Sequence, residues 1–300
     1  VTLEVAVAGE LNLDLILYGL PASLQQEREH LASDMVLTLG SSSAIVAHNL
    51  AALGTKTGFC SLAGDDAFGR LALARLQEAG VDVSRVRQRA EIATGLTVIL
   101  QLPGGRRILT YPGAMQAMSL ADLDLDYLAT ARHFHLSSFF LHRALRPHLS
   151  DLFRRMRAAG LTTSLDTNDD PEDRWGEDLA QTLRHVDVFL PNEREACRAA
   201  GVPDLEAAVE RLAAYIPLVI VKRGPHGALA RRGRETVAAP AASAPVVDPV
   251  GAGDSFNAGF LHRWLQGADL RDCLAFANRV AAHSTTKPGG TEAFRGGCSL

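Results

Sequence analysis

Short β-branched runs alternate with longer helical patterns along almost the whole chain, and no other feature restricts the fold as much. VAVAG (5–9), TGFCSLA (57–63), HFHLSSF (133–139), TTSLDT (162–167), VDVFLP (186–191) and LVIVKRG (218–224) read as strands. Between them, AIVAHNLAALG (44–54), GRLALARLQEAG (69–80), LSDLFRRMRAAG (149–160), EREACRAAG (193–201) and LEAAVERLAAY (205–215) have helical patterning. Several stop at glycine, the usual residue just past a helix C-terminus. The alternation predicts an α/β fold with a largely parallel sheet covered by helices on both faces.

One region breaks the rhythm. TGLTVILQ (94–101) and RRILTY (106–111) flank LPGG and read as a β-hairpin. NLDLILYGL (12–20) and MVLTLG (35–40) are further strands outside the helix-covered pattern. Residues 12–40 and 94–112 therefore predict a small second sheet, a lid over the main one, within a single domain spanning 1–300. The alanine-rich AAPAASAPVV (238–247) reads as a connection. A chain of this length buries roughly 75% of its unfolded surface and needs no disulfide or metal to fold.

The formal charge is −4 and no long basic run appears, which argues against a nucleic-acid partner. Arg231, Arg232 and Arg234 read as a polar turn between strands. Cys60, Cys197, Cys273 and Cys298 show no CxxC spacing, as expected of free thiols in a reducing compartment. The first residues have a strand pattern, and no window reaches the roughly 18 apolar residues of a membrane helix. The expectation is a soluble, cytoplasmic protein with no membrane partner.

The stretch DPVGAGDSFNAGFL (248–261) sets glycines before an apolar helical pattern. Its plain reading is a tight turn with acidic groups at a helix start, where negative charge is favourable by about 0.3–1 kcal/mol. Its functional reading uses the same residues. Gly251, Ala252 and Gly253 let backbone N–H groups converge at the positive end of a helix, a site for a phosphoryl group in flight. Asp254 then sits beside the phosphate and accepts a proton from an attacking hydroxyl. The Walker pattern fits worse because no lysine follows the turn, and a GxGxxG fingerprint lacks its third glycine.

DPVGAGDSFNAGF resembles the C-terminal signature of the ribokinase-like (PfkB) family of carbohydrate and nucleoside kinases. The resemblance runs from VAGELNLD through NERE and KRGPHG to the final helix. It implies an α/β/α core with a β-sheet lid, ATP as phosphoryl donor and Mg²⁺. It also implies that Asp254 is the catalytic base, with 251–253 as the anion hole. The family commonly carries Thr where this chain has Pro249, which lacks a hydroxyl and an N–H. That departure bears on a monovalent-cation site near Asp248 that the resemblance also implies.

Other positions carry two readings each. Asn192-x-x-Glu195 has capping-box spacing, and the resemblance assigns it to the Mg²⁺ and phosphate region; a carboxylate in a first helical turn can serve both. KRGPHG is by itself a turn, and the resemblance makes Lys222, Gly224 and Gly227 nucleotide contacts. Asn278, in FANRVAAHSTT (276–286), is implied as an adenine contact. Asn12 and Asp14 are two apart on a strand and so share a face, where sugar hydroxyls are suitable partners. In LGSSSAIVAHNLAALG (39–54), Gly40 and Ser41 can approach an acceptor closely; Ser41 replaces a family glycine, and Ile45 stands where many sugar kinases carry Asn. Asn168, at the end of SLDTND, is a further acceptor candidate because open α/β sheets bind ligands at strand carboxyl ends. GDDAFG (64–69) reads as a structural turn, and His133 and His135 as packed side chains.

The leading expectation is an ATP-dependent sugar kinase that dimerises through its lid. The alternatives are a nucleoside kinase of the same fold and a non-catalytic sugar-binding relative. Scarce aromatics near the acceptor motifs, apart from Tyr18 and Tyr111, favour a plain sugar.

Overall fold

The computed structural model describes residues 2–297; Cys298 lies outside them. The strands are β1 (Val5–Ala8), β2 (Asn12–Tyr18), β3 (Asp34–Leu39), β4 (Thr57–Gly64), β5 (Asp82–Arg89), β6 (Gly95–Leu102), β7 (Gly105–Tyr111), β8 (His133–Leu136), β9 (Thr162–Leu165), β10 (Val188–Phe189), β11 (Leu218–Lys222), β12 (Ala228–Arg232) and β13 (Glu235–Ala239). The helices are α1 (Ser42–Ala52), α2 (Ala67–Glu78), the short α3 (Ala114–Ala117) and α4 (Leu125–Leu128), α5 (Leu149–Ala158), α6 (Glu177–Leu183), α7 (Glu193–Ala200), α8 (Leu205–Ala213), α9 (Ala252–Leu265) and α10 (Leu270–Ser284).

The main sheet has the order β13-β12-β11-β10-β9-β8-β1-β4-β5 and is parallel except for the β11–β12–β13 edge. Period-two alternation divides its side chains between two cores. Ala6, Ala8, Phe134, Leu136 and Val221 pack toward α5–α8, with Leu152, Phe153, Leu183 and Leu212. Val5, Val7, Phe59, Val188 and Ile220 pack on the other face toward α1, α2, α9 and α10, with Leu50, Leu76, Phe260 and Leu274. Each layer buries what the sequence pattern made apolar, which gives the three-layer α/β/α arrangement. α9 and α10 approach closely because residue 259 is glycine: a Cβ there would lie 2.8 Å from Val280 Cγ2.

β3-β2-β6-β7 form a separate four-stranded sheet. The alternating runs fall on these strands, and β6–β7 is the expected hairpin. Arg232 closes the β12–β13 turn through an ion pair with Glu235. β5 carries no apolar run; its edge position, paired on one side to β4, lets a polar strand form. Strand HFHLSSF is shorter than its pattern predicts, because the backbone turns at Ser138, with φ 57°. Among the described residues no helix is long and apolar enough to cross a membrane. Cys60, Cys197 and Cys273 are free thiols. Asp66 caps α2 by accepting from Gly69 N–H, so GDDAFG is structural.

Candidate active site

The main sheet switches direction at β1: the chain adds β4 and β5 on one side and β8 to β11 on the other. Strand carboxyl ends at such a switch leave a crevice, and here a cavity of about 620 Å³ opens there. Asn12 and Asp14 reach it from β2, Ser41 and Ser42 from the start of α1, and Ser138 and Asn168 from the loops after β8 and β9. Asn192 and Glu195 follow β10, Lys222 ends β11, and 251–254 begin α9.

Three of these residues hold left-handed backbone without being glycine: Ser41 (φ 68°), Ser138 (φ 57°) and Asn168 (φ 51°). Such conformations cost on the order of 1–3 kcal/mol each and persist where the surroundings hold them. The holding bonds are present. Ser41 Oγ accepts Asn12 N–H at 2.8 Å. Asn168 Nδ2 donates to Ser42 Oγ at 2.6 Å and to Ser138 Oγ at 2.9 Å, and Ser138 Oγ donates to Glu10 at 2.7 Å. Asn168 thus acts on neighbouring hydroxyls as well as lining the cavity. Glu10, Ser42 and Ser138 carried no motif signal; their partners are distant in sequence.

Gly251 caps α9 at φ 72°, and a Cβ there would sit 2.4 Å from Gly290 Cα, so glycine is required on two counts. Ala252 N–H turns back to Pro249 O at 3.3 Å, so the turn itself holds one of the three expected amides. The first N–H groups of a helix have no intrahelical acceptor. Asp254 lies in that first turn and is buried. Burial pushes its carboxyl up to about 8, helped by the Asp166 carboxylate, while Lys222 and a hydrogen bond from Ser42 pull the other way. Burial and Asp166 likewise push Glu195 up to about 7, and burial and Asp248 push Asp14 up to about 7. Lys222 sits among these groups, paired with Asp166, which also accepts from Asn257.

A second cavity, about 570 Å³, lies across the glycine turn. Pro225, Gly227, Ala244, Val246, Ala281 and Asn278 contribute to its largely apolar walls. Lys222, Gly224, Ala252 and Gly253 line both cavities, whereas Asp254 lines only the first. The alanine-rich 241–244 segment, read from sequence as a connection, forms one wall. Asn278 lines the cavity and donates its amide to Pro240 O at 2.8 Å, which fixes that wall.

The capping box is complete: Glu195 accepts from Asn192 N–H at 2.8 Å, and Asn192 Oδ1 accepts from Glu195 N–H at 2.9 Å. Both residues still face the cavity. Gly40 is placed beside Asp14 and not among the cavity walls; a Cβ there would lie 2.2 Å from Asp14 Oδ1, so its bareness makes room for that carboxylate. Asp248 is fully buried and lines neither cavity. His133 and His135 are buried against Ser164, and desolvation pushes them down to about 3 and 4, so they pack as neutral rings. Among the described residues no three His, Cys, Asp or Glu side chains cluster as a metal cage.

The family model described as pfkB family carbohydrate kinase matches residues 2–295. The chain belongs to the pfkB family of carbohydrate kinases. It is 33% identical over 245 residues to an uncharacterized sugar kinase of Archaeoglobus fulgidus, covering 81% of this chain and 96% of that one. It is 30% identical to the ATP-dependent ribose-1-phosphate kinase of Halopiger xanaduensis, covering 97% and 94%. The ribokinase fold is shown by the structure of the Arabidopsis thaliana ribokinase complexed with ribose and ATP, with a TM-score of 0.81 at 24% identity over 98% of this chain and 96% of that one. Family membership makes the chain a kinase of small substrates.

Proposed function

We propose that the protein transfers the γ-phosphoryl group of ATP to a hydroxyl of a small sugar. The observation that carries this reading is the shared wall: two cavities meet at Lys222, Ala252 and Gly253, with Asp254 on one side only. The apolar cavity suits a flat purine, with its phosphates directed at the α9 N-terminus. The other cavity, the more polar of the two, suits the acceptor. Asn12, Asp14, Thr97 and Thr110 line it, and the buried Asn12 Oδ1 has no partner among the described residues. The side chains of these four residues are suitable partners for sugar hydroxyls.

In the proposed step, Asp254 takes the proton from the acceptor hydroxyl as its oxygen bonds to the γ-phosphorus. The bond to the leaving ADP oxygen breaks. Lys222 and the first-turn amides offset the charge on the transferring group. Mg²⁺, when bound, neutralises phosphate charge; it keeps several waters and needs only one or two carboxylates, a requirement that Glu195, with Asn192 beside it, fits. The small sheet serves as the lid of the acceptor side, through Thr97, Ile99, Arg106 and Thr110.

ATP consumption across sugars and nucleosides tests this. Turnover with one or more sugars and none with nucleosides is expected. Turnover with nucleosides alone transfers the reading to a nucleoside kinase, and binding of a sugar without ATP hydrolysis transfers it to a non-catalytic relative. The outer lid leaves Met35, Leu109 and Tyr111 exposed, which supports pairing of two copies through this sheet. Sedimentation at micromolar concentration is expected to show a dimer, and a strictly monomeric profile overturns the pairing.

A further inference from the structure

Four donors surround the buried Asp248 carboxylate. Tyr18 Oη and Gly289 N–H both donate to Oδ2, each at 2.9 Å. Val250 N–H donates to Oδ1 at 3.0 Å, and Gln101 Nε2 to Oδ1 at 3.2 Å. Tyr18 lies at the end of β2 and Gln101 near the end of β6, so both side-chain donors belong to the small sheet. The two backbone donors belong to the glycine turn and its support. Val250 immediately precedes Gly251, and Gly289 precedes Gly290, against which Gly251 packs. Ile16, Ile99 and Val250 form an apolar cluster joined by Tyr18, which ties the same two parts together.

A carboxylate offers about four lone-pair sites, and here protein donors engage all of them. A cation at Asp248 would need one of those lone pairs and would face N–H and O–H hydrogens. The residues present therefore do not fit the monovalent cation that the family resemblance implies. Burial and the Asp248 carboxylate push the Tyr18 hydroxyl well above its ordinary range, so it keeps its proton and remains a donor.

We propose that Asp248 is the acceptor of a latch through which Tyr18 and Gln101 of the small sheet hold the glycine turn in place, with no monovalent cation taking part. Tyr18 and Gln101 are positioning residues; neither lines either cavity. The rate consequences rest on the kinase reading; the latch itself does not.

Amide hydrogen exchange in the full-length protein tests it. In the wild type, exchange at 250–253 and 289–290 is expected to be the same in potassium, sodium and tetramethylammonium chloride. In a Tyr18→Phe/Gln101→Leu double variant, exchange at those amides rises by about a hundredfold or more, the loss of two bonds to a charged acceptor. Potassium then restores part of the protection, because lone pairs have been freed. The variant's kcat on the preferred sugar falls roughly tenfold while the KM for ATP moves less than about twofold, with the same potassium response. Wild-type protection or kcat that rises several-fold with potassium overturns the proposal. So does a double variant with unchanged exchange. Should no sugar be phosphorylated, the exchange arms still decide the latch, and only the kinase reading falls. Should the double variant fail to fold, the wild-type cation series decides it alone.

Discussion

Asp254→Asn is expected to lower kcat by about 10²–10⁴, the usual contribution of a general base, with ATP affinity nearly unchanged. Asparagine keeps the shape of the side chain but cannot take the proton. Asp254 lines the cavity proposed for the acceptor and not the one proposed for the nucleotide, so the two effects separate. The wild-type pH profile follows from the same residue. Its carboxyl is pushed up to about 8 by burial and Asp166, so kcat/KM is expected to rise with pH toward about 8 and level off above it. The sign for stability is opposite. Between the ordinary carboxylate range near about 4 and the folded value of about 8, the folded state holds a proton that the unfolded state has released. Stability therefore falls as pH rises through that window. Asp254→Asn removes this loss, and thermal melts at pH 8–9 are expected to place the variant above the wild type. An Asn variant turning over at the wild-type rate would refute the base assignment.

Lys222→Met is expected to cost both stability and turnover. The lysine side chain is only 12% exposed and pairs with the fully buried Asp166. Burial alone would push its ammonium down; the Asp166 and Glu195 carboxylates overcome that and hold it above its ordinary value. Removing one partner of a buried pair costs about 3–5 kcal/mol because the other charge is stranded. A fall in Tm of roughly 10 °C is expected for a chain of this size. Adding Asp166→Asn removes the stranded charge and restores much of the Tm. It does not restore kcat, because the ammonium shared by the two cavities is still missing. A double variant that recovers full turnover would show that Lys222 only neutralises Asp166.

Much of the candidate site was legible from local spacing. Gly251 to Asp254 could be read because a helix N-terminus and the glycines before it are consecutive in the chain. Asn192 and Glu195 were legible for the same reason, as one turn of helix. Asn12 and Asp14 followed from strand period. Gly40 was read as an approach to substrate, and the structure makes it clearance for Asp14, a contact across the β2–β3 pair. Ser138 and Asn168 gave no sign of left-handed backbone, because that state is usually marked by glycine and here is held by hydroxyl and amide bonds.

Sequence alone determined the layered α/β plan, the second sheet and the identity of the glycine turn, since each depends on the period or order of nearby residues. Tertiary structure alone decided which groups surround the turn. Tyr18 reaches Asp248 across 230 positions, Gln101 across 147, and Lys222 reaches Asp166 across 56. The shifted carboxyls of Asp254, Glu195 and Asp14 arise from burial and from carboxylates brought close by folding. Desolvation and Coulomb energy depend on distance in space, which the order of residues along a chain does not record.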